Sequence, residues 1–438
     1  MTAHRRASTI SPSARLSLNS LWLAAARVAG QLLGLVFSLA VARSLGEDVF
    51  GQFAFISAVV FIGNVITTFG LDTLLIREVA ASRNPSQGMS RPLADTLSAA
   101  LLLQLGLSAL FLAAVWVFGR LLPNQTANTL PALYVATLSL IPLAFSTVYS
   151  AILRGHERMD AFLWFSLIPG LVMSLGGATI WLRGGTLTGV AWVVLLAQTA
   201  GAIGATVLCR VILPHVHWRW RRPPRAAAGR IFRASVMLAL LMILAMLYQR
   251  VGVFVLSFLA GDATTGMYSA AARVLESLKI IPGAVFGALL PMMIAGQGME
   301  TRRAASWSVA TLGGLSILMA ALTTVFAGPI VSLLYGRAFA AAVPILQIMV
   351  WSLPLTVLTF KLSFDLVVAG EERIAALSML MTLLTAGVVT VWCFGRWLVD
   401  GAAVSLIICE GLQVVYLAAM THVHRRRGKP ASLPAEAT

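Results

Sequence analysis

Apolar residues run through this chain in long stretches separated by short polar breaks. A bilayer-crossing helix needs roughly 20 mainly apolar residues. Twelve stretches meet that length, at approximately 18–42, 50–76, 96–119, 128–152, 161–182, 186–210, 232–259, 267–295, 306–327, 341–368, 374–395 and 400–421. The pattern predicts an all-α integral membrane protein with 12 transmembrane helices. Between the ninth and tenth stretches, "GPIVSLLYGRAF" is too short to cross, and a brief interfacial helix is expected there. No connection can hold a soluble domain. The longest is the basic segment "PHVHWRWRRPPRAAAGR" near the midpoint.

The halves resemble each other. "GEDVFGQFA" from Gly46 and "GDATTGMYS" from Gly261 share glycine, acid, three residues, glycine, any residue, aromatic and small, at an offset of 215. Each sits in the outer connection between the first two spans of its half. Six spans separate the copies, so both have the same orientation, as in transporters built from two parallel six-helix lobes. An ordinary Gly-Asp turn would give the same residues by coincidence, but the matching position favours duplication. The expected organisation is an N-terminal tail at 1–17, a lobe of six spans at 18–210, a basic linker at 211–231, a second lobe at 232–421 and a C-terminal tail at 422–438.

Composition sharpens this picture. Of 438 residues 59% are hydrophobic and only 11% charged, with a mean hydropathy of +0.88, against about 25% charged in a soluble domain. The net charge of +16 would suggest nucleic acid in a soluble protein. Here it follows from the collection of Lys and Arg in cytoplasmic connections. With the N-terminus inside, the inner connections and tails hold 22 Lys and Arg and the outer ones five. Both termini are therefore expected in the cytoplasm and the chain in the cell inner (cytoplasmic) membrane. The Trp–Arg alternation of the linker reads as interfacial tryptophan with anionic-lipid contacts rather than nucleic-acid stacking. The N-terminal segment resembles a signal-peptide n-region, but Arg27 breaks the apolar run behind it, so an uncleaved first span is expected. Cys209, Cys393 and Cys409 are widely spaced and lie in apolar segments, which suits packing and gives neither a disulfide framework nor a zinc site.

The remaining Lys and Arg lie inside spans, where a charge costs about 2.5–3.5 kcal/mol on insertion scales. Arg273, Glu276 and Lys279 follow one another at steps of three on the eighth span, which keeps them on one broad face. Arg27 lies in the first span, Arg250 in the seventh and Glu410 in the twelfth. Lys361 and Asp365 are four apart on the tenth, and Asp72 stands near the inner end of the second. Interhelical or intrahelical pairing accounts for Lys361, Asp365 and Asp72. In the deeper set, Arg27, Arg250, Arg273 and Lys279 meet only Glu276 and Glu410, leaving two positive charges without a carboxylate. Buried unmatched cations call for an anion, so these four are the candidate ligands of an anionic substrate. Glu276 and Glu410 are candidates for ion coupling or pairing. Gln31, Asn64 and Gln249 fit either a polar lining or helix–helix hydrogen bonds. No Walker A loop, catalytic constellation, metal site or cofactor motif appears, and the six histidines all lie in loops or tails.

Four stretches resemble the oligosaccharide/polysaccharide flippases of the multidrug/oligosaccharidyl-lipid/polysaccharide exporter superfamily: "RVAGQLLGLVFSLAVARSLGEDVFGQFAFISAVV" from Arg27, "GLDTLLIREVA" from Gly70, "GDATTGMYSAAARVLESLKIIPGAVFGALLPMM" from Gly261 and "LLYGRAFAAAVPILQIM" from Leu333. The resemblance spans nearly the whole chain. It implies two six-helix lobes around a central cavity and export of a lipid-linked oligosaccharide by alternating access, with polysaccharide polymerases and glycosyltransferases as functional partners. In the related lipid II flippases an arginine occupies the position of Arg27 in "ARVAG", and a second one stands where this chain has Leu33, so their phosphate-binding cluster does not carry over whole. The chemistry agrees: a diphosphate suits arginine's bidentate fork. Two other readings compete. A cation-coupled multidrug antiporter of the same superfamily would rely on Glu276 and Glu410, and a membrane glycosyltransferase or polymerase would need extramembrane loops that this chain lacks.

Overall fold

The computed structural model describes residues 12–82, 89–121, 128–214, 216, 218, 220–295, 299–368 and 371–426. The ends of the expected tails, 1–11 and 427–438, lie outside the described residues, as do His215, His217 and Arg219 of the linker. Thirteen α-helices are present among the described residues. Among the described residues, nine helical stretches are long and apolar enough to cross a membrane. Two of them, Leu21–Ala81 and Leu377–His422, each contain two of the expected spans. The eighth expected span falls within α9 (Asp262–Ala295).

The first double span is formed by α1 (Pro12–Thr68), bent at Gly46 (φ 78°), and α2 (Leu71–Ala81). The expected second span, 50–76, is thus interrupted at Phe69 and Gly70 (φ 50° and 69°). The fourth span is also broken, into α4 (Thr129–Leu138) and α5 (Leu140–Gly155), and the tenth into α11 (Ala342–Met349) and α12 (Ser352–Val368). Prolines explain both breaks. Pro142 and Pro354 each occupy the third position of the second piece. Without an N–H, and with a ring that crowds the carbonyl four residues back, each one stops the preceding helix from continuing through it. The same device recurs in the fourth span of each half.

The chain divides into two compact units, Met1–Leu45 with Val59–Ile243, and Gly46–Ala58 with Leu244–Thr438. The division runs within α1 and within α8 (Arg225–Leu259).

In the first unit, α2, α3 (Arg91–Phe118), α5 and α7 (Leu187–Ile212) surround a core of Leu71, Leu75, Leu97, Val148 and Ile152. Helix α6 (Met159–Arg183) runs parallel to α1, with Gly170 against Leu33 and Gly177 against Phe37. A buried polar chain joins Asn64, Thr68, Gln104 and Thr147, so Asn64 takes the hydrogen-bonding role. The linker differs from the expected lipid-facing segment at Trp218. That ring packs edge-on to Tyr149, 5.6 Å between centroids, beside the first unit's core. The Arg221 N–H donates to Ser98 Oγ and Arg230 to Thr96 Oγ1. These contacts give the indole apolar neighbours inside the protein; Trp220 remains exposed.

The second unit is built from α9, α10 (Met299–Tyr335), α11, α12 and α13 (Glu372–Arg426). Here "GPIVSLLYGRAF" is no separate interfacial helix. Its first eight residues continue α10, and only Arg337–Phe339 form a 3-10 turn. Tyr335 and Phe339 are buried against Phe50, which pins the segment into the core. The repeated turns meet within this unit. Gly46 and Gly261 both take positive φ (78° and 82°), a region open to glycine at little cost. Five residues on, Gly51 and Gly266 pack reciprocally. A Cβ at Gly51 would press on the Asp262 carbonyl, and one at Gly266 on the Glu47 carbonyl. Glu47 and Asp262 are themselves 215 apart, so the contact is symmetric in the repeat. Gln52 Nε2 donates to Asp262 Oδ2 at 2.8 Å. Withdrawal from solvent and nearby Asp48 raise the Asp262 carboxyl above its ordinary range, against the Gln52 hydrogen bond.

Candidate functional site

The charges of the seventh, eighth and twelfth expected spans converge in the second unit. Glu276 receives two arginines. Arg250 Nη1 lies 3.2 Å from its Oε1, and Arg273 Nη1 lies 3.6 Å from its Oε2. The second pair is the i, i+3 contact that the helical spacing predicts. Arg250 is the more enclosed, its side chain 15% exposed against 31% for Arg273 and 40% for Glu276. Two turns from Arg273 along α9, Lys279 Nζ meets Glu410 Oε1 of α13 at 2.9 Å, and the Glu410 side chain is 6% exposed.

Among the described residues, three cations thus meet two carboxylates in this group. Lys279 and Glu410 neutralise each other, and a full hydrogen bond from the ammonium compensates a carboxylate taken out of water. Glu276 can neutralise only one of its two guanidiniums. The fork of Arg273, the more exposed of the two, is open enough to accept an oxyanion. Tyr268 lies within electrostatic reach of Glu276 and Arg250, Tyr335 of Arg273 and Glu276, and Tyr248 of Glu410. Among the described residues, the buried hydroxyls of Tyr248 and Tyr335 meet no hydrogen-bond partner. Sequence reasoning did not single out these tyrosines, because an aromatic in an apolar span carries no positional signal.

The other expected residues fall elsewhere. Lys361 and Asp365 form an i, i+4 ion pair of 3.0 Å on α12, the pairing that their spacing suggests. Arg27 and Asp72 belong to the first unit. Both act electrostatically on Arg154 at the end of α5, which the sequence placed only among the inner-loop arginines. The Thr73 hydroxyl donates to Asp72 at 3.4 Å. The three cysteines are buried and unbridged, as packing residues.

Residues 16–297 match the family described as "Polysaccharide biosynthesis protein". No curated protein matches the chain in sequence. Several solved structures share the fold. The lipid II flippase MurJ in an inward closed conformation superposes with a TM-score of 0.71 at 14% identity, covering 91% of this chain and 86% of that one. An inward-facing multidrug resistance MATE family transporter of the MOP superfamily gives 0.73 at 14% identity, covering 93% and 98%. A MOP superfamily transporter from Pyrococcus furiosus, described as having a binding pocket of reverse polarity, gives 0.64 at 15% identity, covering 96% and 98%. At these identities the likeness establishes the fold: all-α and of the membrane-transporter type.

Proposed function

The chain belongs to the polysaccharide biosynthesis protein family, and from that premise we propose that it is a flippase for a polyprenyl-diphosphate-linked oligosaccharide. It carries a surface or exopolysaccharide repeat unit from the cytoplasmic to the outer leaflet of the cell membrane by alternating access, and changes no covalent bond in doing so. Glycosyltransferases build the cargo before transfer and a polymerase consumes it afterwards. The observation that supports this reading is the cationic group at Glu276: among the described residues Arg250 and Arg273 converge on one carboxylate, and a diphosphate offers oxyanions in a geometry that the fork of the more open Arg273 fits. The prenyl tail stays in lipid.

The test is complementation of surface-glycan export. Arg273→Ala abolishes export and Arg273→Lys restores it partly, because an ammonium keeps the charge and loses the fork. Arg273→Ala with Glu276→Gln relieves the stranded carboxylate, so the double variant is made at normal level and still fails to export. The multidrug antiporter reading ranks these variants the other way: Glu276→Gln or Glu410→Gln alone stops transport and the arginine variants are mild. Full export by a well-expressed Arg250→Ala, Arg273→Ala variant refutes the proposal.

A further inference from the structure

Where its eleventh and twelfth expected spans join, the second unit carries a group of side chains that the site around Glu276 leaves unused. Helix α13 bends at Leu398, whose φ of 50° is rare for a bulky side chain. The Lys and Arg bias assigns this junction to the outer side. Two contacts fix the bend. A Cβ at Gly401 would press on the Cys393 carbonyl, so the two arms of the helix meet main chain to main chain. Beyond it, Ser405 Oγ donates to Thr390 Oγ1 across the bend at 3.2 Å.

The bend redirects two charges. Arg396 and Asp400 are four apart, a spacing that pairs them on an unbroken helix. Among the described residues neither forms an ion pair. Arg396 lies instead over the Trp392 ring, 5.8 Å from guanidinium carbon to centroid. Trp397 stands edge-on to Trp392, 5.8 Å between centroids at 89°. Asp400 is left beside Trp397 and Val404, and these three line a cavity of about 260 Å³. Tryptophan and arginine are ordinary residues of a membrane boundary, and the first unit shows that plain form. There Arg120 lies over Trp116 at 6.0 Å with Tyr134 beside the indole, and the sequence has no acidic residue between Asp95 and Glu157. The second unit adds a carboxylate and a cavity. The Asp400 carboxylate repels a phospholipid phosphate. A quaternary ammonium seeks indole faces, and Arg396 already holds one of Trp392. A neutral ligand with an apolar face for Trp397 and hydroxyls for Asp400 meets neither obstacle. A pyranose has both: the C–H bonds of one ring face lie flat against an indole, and its hydroxyls donate to a carboxylate, which when ionised can only accept. The cavity is smaller than the roughly 300–1,000 Å³ of sites for drug-sized ligands, which suits a single sugar ring.

We infer that Trp397 and Asp400, with Trp392 held by Arg396, form a saccharide-binding point on the outer side that takes one pyranose ring. Its role, to hold a sugar of the glycan head as the substrate leaves, rests on the flippase reading above.

The full chain, in a polyoxyethylene detergent that brings no sugar of its own, is titrated with the methyl glycosides of glucose, galactose, mannose and N-acetylglucosamine, and separately with choline. Saturation transfer from protein to ligand protons reads binding. At least one glycoside binds. Trp397→Ala removes the signal and Trp397→Phe keeps part of it. Asp400→Ala weakens binding about tenfold, as the loss of one charge-assisted hydrogen bond implies, and Asp400→Asn recovers part of this. Trp116→Ala, on the plain Trp–Arg pair of the first unit, leaves binding unaltered. In cells Trp397→Ala lowers surface-glycan export, and undiminished export overturns the assigned role. No glycoside binding by the unaltered chain, or equal affinity in Trp397→Ala, overturns the site. Choline binding that Asp400→Ala abolishes assigns the cavity to a cation and overturns it as well. None of these outcomes touches the Arg273 export test. A chain that binds a glycoside here yet exports fully without Arg250 and Arg273 keeps this site and loses the cationic site of the flippase reading.

Discussion

Replacing Gly51 by alanine puts a methyl group where two backbones touch. That Cβ would lie 2.7 Å from the Asp262 carbonyl carbon and 2.9 Å from the Gly266 nitrogen, with the carbonyl oxygen nearer still. Ordinary contact begins near 3.4 Å, so from 2.7 Å the turns must part by at least about 0.7 Å. No side chain can yield, because all three obstructing atoms are main chain. Overpacking of this kind costs typically 1–3 kcal/mol, and the parting also lengthens the 2.8 Å bond from Gln52 to Asp262. About 2 kcal/mol follows, enough to shift a two-state equilibrium roughly thirtyfold. The assay is disulfide trapping of a Gln52→Cys, Asp262→Cys pair in membranes. The pair cross-links readily on the parent background and poorly with Gly51→Ala or Gly266→Ala. The two alanines together cost less than their sum, because one separation relieves both. Gly313→Ala, where no atom lies within 4 Å of the added carbon, is the control. In alternating access, loss of this contact also depresses export. Undiminished trapping and export in Gly51→Ala would refute the argument that the repeated turns close on each other.

The same contact responds to pH. Asp262 is raised chiefly by withdrawal from solvent, so the packed state binds its proton more readily than the open one. Packing therefore strengthens as pH falls through the raised value and weakens as pH rises through it; hydrogen-exchange protection of the turn amides against pH, in the chain that keeps Gln52 and Asp262, reads this, and Asp262→Asn flattens the profile. In stability measurements, Lys279→Met costs about 3–5 kcal/mol because it strands the enclosed Glu410, whereas Lys361→Ala costs about 1 kcal/mol because its partner Asp365, partly exposed, is not stranded in the same way. An equal melting shift for the two contradicts this. For orientation, Arg183→Cys reacts with an impermeant thiol reagent in intact cells and Arg222→Cys does not, over a background kept low by the buried native cysteines; labelling at Arg222 reverses the topology.

Span number, the duplicated turns and the deep charges were legible in the sequence, because each follows from local rules. Apolar length measures a bilayer, glycine marks a left-handed bend, and a charge within a span stands out by its cost. Helical spacing alone gave the Arg273–Glu276 and Lys361–Asp365 pairs. The breaks after Leu138 and Met349 were written in Pro142 and Pro354, yet a run of unbroken hydropathy hid them. What only the tertiary structure decided is partnership between distant segments. Arg250 and Arg273 converge on one carboxylate, Lys279 takes Glu410 from 131 residues away, Trp218 leaves the lipid surface for Tyr149, and Arg154 lies over the Phe162 ring. Hydropathy records how strongly a residue avoids water or lipid. It carries no term for which neighbour satisfies a buried charge, and that choice is made only when helices pack and each ion settles on the counter-charge within its reach.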